Sequence, residues 1–391
     1  MINFEFNLPT KIIFGVGEVK RAGGYAVRLG KKAMLIIGGG SVKKYGIYDR
    51  VTSSLKENGI DFITFEGIEP NPRAATIDKA GEKAKEEKVE FLIGLGGGSV
   101  MDATKAIAIR ALVDNPIWEY ILGKDGGRPR LIKEALPTLM IPTVAATSSE
   151  TDAGGVVTNS ETHEKCPLIN SLLFPKISII DPELTVTVDR DTTADGGVDI
   201  ISHVLESYLA GDPKAPVQDR VTEGIIRTVM EFLPRAMAKP SDLEARTNLT
   251  WCSSLALSGF VNSGRGGNFP VHLLEHAVSG HYDIPHGRGL ALLIPPVMRY
   301  DAETIPERIS ILGRNLFFKE NISAERTIEL FEEWLNSIDR KLTFTKLGID
   351  DSKFDVMAED VIRNYGGKDR VLINPRPIYK QDIIDICNSV L

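Results

Sequence analysis

The hydrophobic period of this chain changes once, near residue 188, and that change limits the fold more than any other feature. Before it, short apolar runs alternate with amphipathic stretches. Residues 32–37, 61–65, 91–95, 139–141 and 177–180 read as strands, because each is a brief apolar run bounded by polar residues, glycine or proline. Helical spacing follows the first of them through Tyr48, Val51 and Leu55, and a charged helix fits 76–88. Strand, helix, strand alternation predicts a mainly parallel sheet joined by right-handed crossovers. From Asp189 onward the strand signals fade, and helical patterns cover 192–210, 218–236, 243–260, 269–281 and 327–336. Pro240, Gly264 and Pro285 punctuate them. The expectation is an α/β N-terminal domain with a parallel sheet, residues 1–188, and an all-α C-terminal domain, residues 189–391.

A chain of 391 residues is long enough for two such domains. With 42% hydrophobic and 25% charged residues it has the make-up of a globular protein, which excludes a disordered tail or a collagen-like rod. Asp plus Glu, 53, outnumber Lys plus Arg, 46, for a formal charge of −7, so nucleic acid and anionic membrane have no electrostatic case as partners. No apolar run approaches the roughly 18 residues of a membrane helix. The opening residues, Met1 to Asn7, place no basic cluster before an apolar core, so no signal peptide is expected. Cys166, Cys252 and Cys387 are few and widely spaced, which argues against a disulfide framework and for a cytoplasmic location.

Two glycine clusters close predicted strands. Gly96-Gly97-Gly98-Ser99-Val100-Met101-Asp102 follows one strand and precedes a helical pattern over 103–111. Glycines let the backbone approach a diphosphate, and the N–H groups that open the helix face the anion with the helix dipole behind them. Gly38-Gly39-Gly40-Ser41 is a second such run. Two clusters on one sheet edge predict a nucleotide-binding domain. A protein that selects NAD commonly places a carboxylate here for the ribose hydroxyls. This chain has no carboxylate before Asp49, and offers Ser41, Lys43 and Lys44 instead, an environment that accepts a 2′-phosphate.

The histidines point to a second chemistry. Of six, five fall between 203 and 286: His203, His272, His276, His281 and His286. Asp199 and His203 are four apart, as are His272 and His276, so each pair shares a helix face. His286, between Pro285 and Gly287, sits at a predicted helix start. An aspartate with several imidazoles is a suitable donor set for Fe²⁺ or Zn²⁺, making the second domain a metal-binding one. His163 lies apart in a polar stretch and reads as surface.

In order and spacing, Gly96-Gly97-Gly98-Ser99-x-x-Asp102, Pro142-Thr143, Thr147-Ser148-Ser149-Glu150, Asp199-x-x-x-His203, His272-x-x-x-His276 and Pro285-His286-Gly287 resemble the iron-containing, or group III, alcohol dehydrogenases, and within them the butanol dehydrogenase and broad-range aldehyde reductase branch. The likeness runs from about Phe4 to Met298. It implies Asp199, His203, His272 and His286 as ligands of Fe²⁺ or Zn²⁺, with His276 standing beside them. It implies cofactor contacts at Gly97, Gly98, Ser99, Asp102, Asn71, Thr143, Thr147, Asp152, Gly154, Lys165 and Leu184. The stretch from Gly38 through Gly39, Gly40 and Ser41 to Lys44 resembles the NADP-accepting branch, so NADP(H) is the preferred cofactor and NAD(H) a second one. Relatives often carry Gly-Thr-Gly-Ser-Glu where this chain has Ala146-Thr147-Ser148-Ser149-Glu150. The implied activity is metal-dependent hydride transfer between nicotinamide and a small alcohol or aldehyde, by a homodimer. A divalent metal would polarise the substrate oxygen, and His276 would either relay the proton or orient His272. A glycerol-dehydrogenase-like or dehydroquinate-synthase-like enzyme would share the two-domain plan with a different ligand order. A non-catalytic nucleotide-binding regulator would explain the glycine runs alone, and a metal-storage protein the histidines alone.

Overall fold

The computed structural model describes residues 1–123 and 127–391. The strands are β1 (Lys11–Phe14), β2 (Lys32–Ile37), β3 (Asp61–Glu66), β4 (Phe91–Gly96), β5 (Thr138–Pro142), β6 (Gly154–Asn159), β7 (Glu164–Ile169) and β8 (Ile177–Ile180). Six of them form one parallel sheet in the order β1-β8-β5-β4-β2-β3. The helices of this half are α1 (Ala22–Ala26), α2 (Ser41–Lys44), α3 (Ile47–Glu57), α4 (Ala74–Glu86) and α5 (Gly98–Arg110). Alternate residues of β2 serve opposite faces: Met34 and Ile36 pack with α4 and α5, whereas Ala33, Leu35 and Ile37 pack with α1 and α3. The result is a sheet covered on both sides, as parallel sheets require.

From β2 the chain runs outward to β3 and returns to β4 on the other side of β2. The strand order reverses there, and a crevice opens between the carboxyl ends of β2 and β4. Both glycine clusters lie at that reversal, one after each strand. Helix α5 starts at Gly98, inside the glycine run rather than at Ala103, and no side chain caps it.

Sequence periodicity does not show β1, β6 or β7. The last two form an antiparallel hairpin against α5, with β7 also on α9 (Pro270–Tyr282). Gly154, Gly155, Glu164, Lys165 and Pro167 break the apolar pattern that would have marked them.

The rest of the chain is helical: α6 (Arg190–Ala210), α7 (Pro216–Ala238), α8 (Leu243–Ala256), α9, α10 (His286–Ala302), α11 (Pro306–Phe317), α12 (Ala324–Ser337), α13 (Phe354–Tyr365) and α14 (Lys380–Asn388). Helix α6 is buried on all sides from Thr193 to Leu209, the pattern of a central helix, and the others pack around it. Asp189 caps it by accepting from Thr192 N at 2.8 Å. Helix α8 ends four residues before the expected Phe260. Helix α10 begins at His286, as Pro285 suggests, and continues through Pro295 and Pro296 because Leu290 to Met298 are packed in the core.

Candidate metal centre and cofactor cleft

Helix α6 supplies Asp199 and His203, α9 supplies His272 and His276, and α10 supplies His286 from its first position. Asp199 is 3% exposed. Its Oδ1 lies 3.5 Å from His203 Nδ1, 3.7 Å from His272 Nε2 and 3.8 Å from His286 Nε2. His203 and His272 stack at 4.5 Å between ring centroids. Asp199 Oδ1, His203 Nδ1 and His272 Nε2 are all buried and lack a hydrogen-bond partner. Buried polar atoms left without partners are costly, and a set of them converging on one point is one that a cation would satisfy. One carboxylate with three imidazoles suits Fe²⁺ or Zn²⁺.

The charges at the site lean the same way. Burial opposes ionisation of Asp199, but His203, His286 and His272 outweigh it and hold its carboxyl well below the usual range. Burial likewise opposes protonation of His272, yet Glu206 and Asp199 lift its pKa to about 10. Burial, with His272 and His286 nearby, drives His203 down to about 3 despite Asp199.

Two carboxylates absent from the sequence reading aim the rings. Glu206, one turn beyond His203, accepts from His272 Nδ1, from Ser202 Oγ at 2.9 Å, and from Val271 N and His272 N at 2.6 and 3.2 Å. Glu275, fully buried on α9, accepts from His286 Nδ1, Ser279 Oγ and Lys165 Nζ, the last at 3.2 Å. Each leaves the Nε2 of its histidine directed at Asp199, the carboxylate–histidine arrangement that orients metal ligands. The only sequence signal is spacing: Glu206 is three after His203, and Glu275 three after His272.

His276 stands beside this group, its ring 5.8 Å from that of His286 and 6.4 Å from that of His272. Its Nδ1 is buried without a partner. Burial, then the Lys165 ammonium, hold its pKa well below the ordinary value, so it is a neutral base.

On the sheet edge, a Cβ at Gly98 would stand 2.4 Å from Thr147 Cγ2, and one at Gly97 3.4 Å from Val144 Cγ2, whereas Gly39 and Gly40 face open space. Thr143 N bonds Gly96 O at 2.9 Å, which sets the threonine loop over the run that continues into Ser99. Ser148 adopts φ 59°, the left-handed region where the related pattern has glycine. Its hydroxyl turns away from the cleft, donating to Ser253 O and accepting from Leu257 N at 3.0 Å. The serine therefore fastens the loop to α8 and adds no bulk over the glycines. Asp102 accepts from Ser149 Oγ at 2.7 Å and Val156 N at 2.9 Å, and burial lifts its carboxyl to about 6. Asp152 accepts from Gly154 N at 2.9 Å and from Lys105, which also donates to Gly154 O. Asn71 donates from Nδ2 to Asp283 at 2.9 Å, joining the α/β half to the end of α9.

Three positions bear on the cofactor reading. Leu184 is 1% exposed, within the apolar cluster that also holds Leu35, Ile37 and Ile141. Lys165 reaches past the sheet edge to the histidines, its Nζ 3.2 Å from His286 Nδ1. A carboxylate does stand beside Gly38: Glu66 is the register partner of Ile37 and pairs with Lys43. Reading along β2 could not reveal it, because it arrives on β3.

The family model described as iron-containing alcohol dehydrogenase matches residues 9–182, and that of the C-terminal part of the Fe-containing alcohol dehydrogenase family matches 193–391. The chain is 39% identical over 393 residues to NADH-dependent butanol dehydrogenase A of Clostridium acetobutylicum, covering 99% of each. It is 35% identical over 306 residues to the NADPH-dependent aldehyde reductase YqhD of Escherichia coli, covering 78% of this chain and 77% of that one. The crystal structure of NADH-dependent butanol dehydrogenase A from Thermotoga maritima superposes with a TM-score of 0.94 at 36% identity, covering 100% of this chain and 99% of the other. With both halves matched, the chain belongs to the iron-containing alcohol dehydrogenase family.

Proposed function

We propose that this enzyme interconverts small primary alcohols and aldehydes, of the butanol and butanal class, with NADP(H) preferred over NAD(H). The observation that carries the reading is the convergence of Asp199 Oδ1 and His272 Nε2, buried, partnerless and 3.7 Å apart, with His203 and His286 beside them. Asp199, His203, His272 and His286 would hold Fe²⁺ or Zn²⁺. When bound, the cation would supply Lewis acidity and the nicotinamide would serve as hydride donor or acceptor. Glu206 and Glu275 keep His272 and His286 aimed, and Lys165 offsets the charge of Glu275. The neutral His276, whose Nδ1 is buried without a hydrogen-bond partner, carries the proton between the site and solvent. Gly38 to Ser41, Asn71, Gly97 to Ser99, Asp102, Thr143, Thr147, Asp152 and Gly154 frame the cofactor cleft, in a unit of residues 1–188 set against a metal-holding unit of 189–391. Exposed Ile2, Phe4, Phe6 and Phe260 offer an apolar face for a homodimer, which light scattering of the eluting protein would test. Cys166, Cys252 and Cys387 are buried and form no disulfide, in keeping with a reducing cytoplasm. Among the described residues no helix is long and apolar enough to cross a membrane.

The deciding assay follows reduced-nicotinamide absorbance with butanal, after metal analysis and reloading with Fe²⁺ or Zn²⁺. Metal-dependent oxidation of NADPH supports the reading. Cofactor binding without turnover under any metal would favour the non-catalytic regulator.

A further inference from the structure

Glu66 closes β3 opposite Ile37, one residue before the glycine run. The backbone that follows it is pinned there: Gly67 N and Ile68 N both bond Ile37 O at 3.2 Å. A Cβ at Gly38 would lie 3.3 Å from Ile68 O, so the end of β3 lies flush against the first glycine. Glu66 is therefore held at the mouth of the crevice by backbone geometry. Its partner is Lys43 of α2, whose Nζ also stands 5.4 Å from the centre of the Tyr48 ring. Tyr48 in turn is fixed by a 2.9 Å hydrogen bond to Thr64 on β3. Lys44 instead lies over Tyr45, at 5.2 Å. The Lys43 and Glu66 side chains are 43% and 46% exposed, so neither is locked in place by burial. An exposed pair of this kind is exchangeable at little cost.

In nucleotide-binding sheets of this plan, the acid that binds the ribose 2′-hydroxyl stands about 20 residues beyond the glycine turn, on the next strand. Glu66 occupies that topological position. Resting on the reading of this edge as the cofactor cleft, we propose that Glu66 is a cofactor-specificity residue. Its carboxylate accepts a hydrogen bond from the 2′-hydroxyl of NAD(H). With NADP(H), the 2′-phosphate takes Lys43 from Glu66 and faces the freed carboxylate as a like charge. Glu66 thus restrains the preference that Ser41, Lys43 and Lys44 would otherwise impose, and keeps NAD(H) usable.

The test is equilibrium binding of NADPH and of NADH, followed by reduced-nicotinamide fluorescence without substrate. Glu66→Gln keeps the shape and removes the charge. Its Kd for NADPH should fall about tenfold while that for NADH holds or rises, and the gain should shrink as salt is added. Lys43→Gln should move the ratio of the two Kd values the opposite way. A ratio in Glu66→Gln within twofold of the parent overturns the proposal while leaving the cleft reading intact. A parent protein that binds neither nucleotide overturns the cleft reading, and this proposal with it.

Discussion

Asp199 draws three imidazoles together, but carboxylates behind two of those rings decide where they point. Glu206 makes four hydrogen bonds, all to donors within two short segments, so its position is overdetermined. Glu206→Gln should leave the fold intact and weaken metal binding by about 10- to 100-fold, the usual cost of losing such a partner. Competition with a coloured chelator would measure it, and an unaltered affinity would mean His272 is aimed by other contacts. A second buried acid acts on stability. Asp301 is 1% exposed. Burial lifts its carboxyl to about 7, with Glu206 adding to the rise and Asn374 and Arg376 only partly opposing it. The folded state therefore keeps this proton to a higher pH than the unfolded chain. Between about pH 4 and 7 stability falls as pH rises, and above 7 the ionised group weighs fully against folding. Asp301→Asn should remove this dependence, gaining on the order of a few kcal/mol over the parent at pH 8 and little near pH 4. Urea denaturation across that range checks the slope, and parallel pH curves for the two proteins would count against it.

The two glycine turns look alike in sequence and differ in what surrounds them. Gly98→Ala would drive a methyl into Thr147, at the first turn of α5, and should cost about 1–3 kcal/mol while weakening cofactor binding at least tenfold. Gly39→Ala meets nothing within 4 Å and should leave the melting temperature unchanged. Equal losses in both variants would contradict this geometry. The same contrast explains what the sequence could reveal. Five strands of the sheet and the long helices were legible because a buried strand is a continuous apolar run and a packed helix repeats its apolar face. The β6–β7 hairpin was not, because its polar residues serve the interface: Lys165 reaches Glu275, and Glu164 pairs with Arg363 of α13. The start of helix α10 was legible at His286, but its run through Pro295 and Pro296 was not, because burial tolerates those prolines. Asp199 and the histidines were visible through helical spacing. Glu66 and Glu206 were not, since their roles come from residues brought alongside by the fold.

Taken whole, the molecule keeps its two chemistries on separate frames. The donors around Asp199 all belong to helices after residue 190, and the glycine turns to the sheet. His272→Ala should therefore lose most bound metal and turnover, while NADPH affinity stays within about threefold, since the variant touches no residue of the sheet. A parallel loss of nucleotide binding would show that the frames are coupled. Two sets of contacts join them: Asn71 and Arg73 on Asp283, Arg363 on Glu164, His163 stacked on His281 at 5.7 Å and Lys165 among the histidines; and the threonine loop on α8, through Ala146, Ser148, Glu150 and Thr151 with Ser253, Ser254 and Leu257. The sheet itself carries a consequence for how the chain is assembled. Among the described residues strand β1 pairs only with β8, Lys11 opposite Ile177, and Ile2 N bonds Gly264 O. Strand β1 thus has no partner in the sheet until β8, which follows β2 to β7 in sequence, is in place. Closing so long a loop is slow, so the edge of the sheet is finished late, and Ile12 and Ile13 stay unpaired and open to wrong partners for longer than any other strand of the sheet.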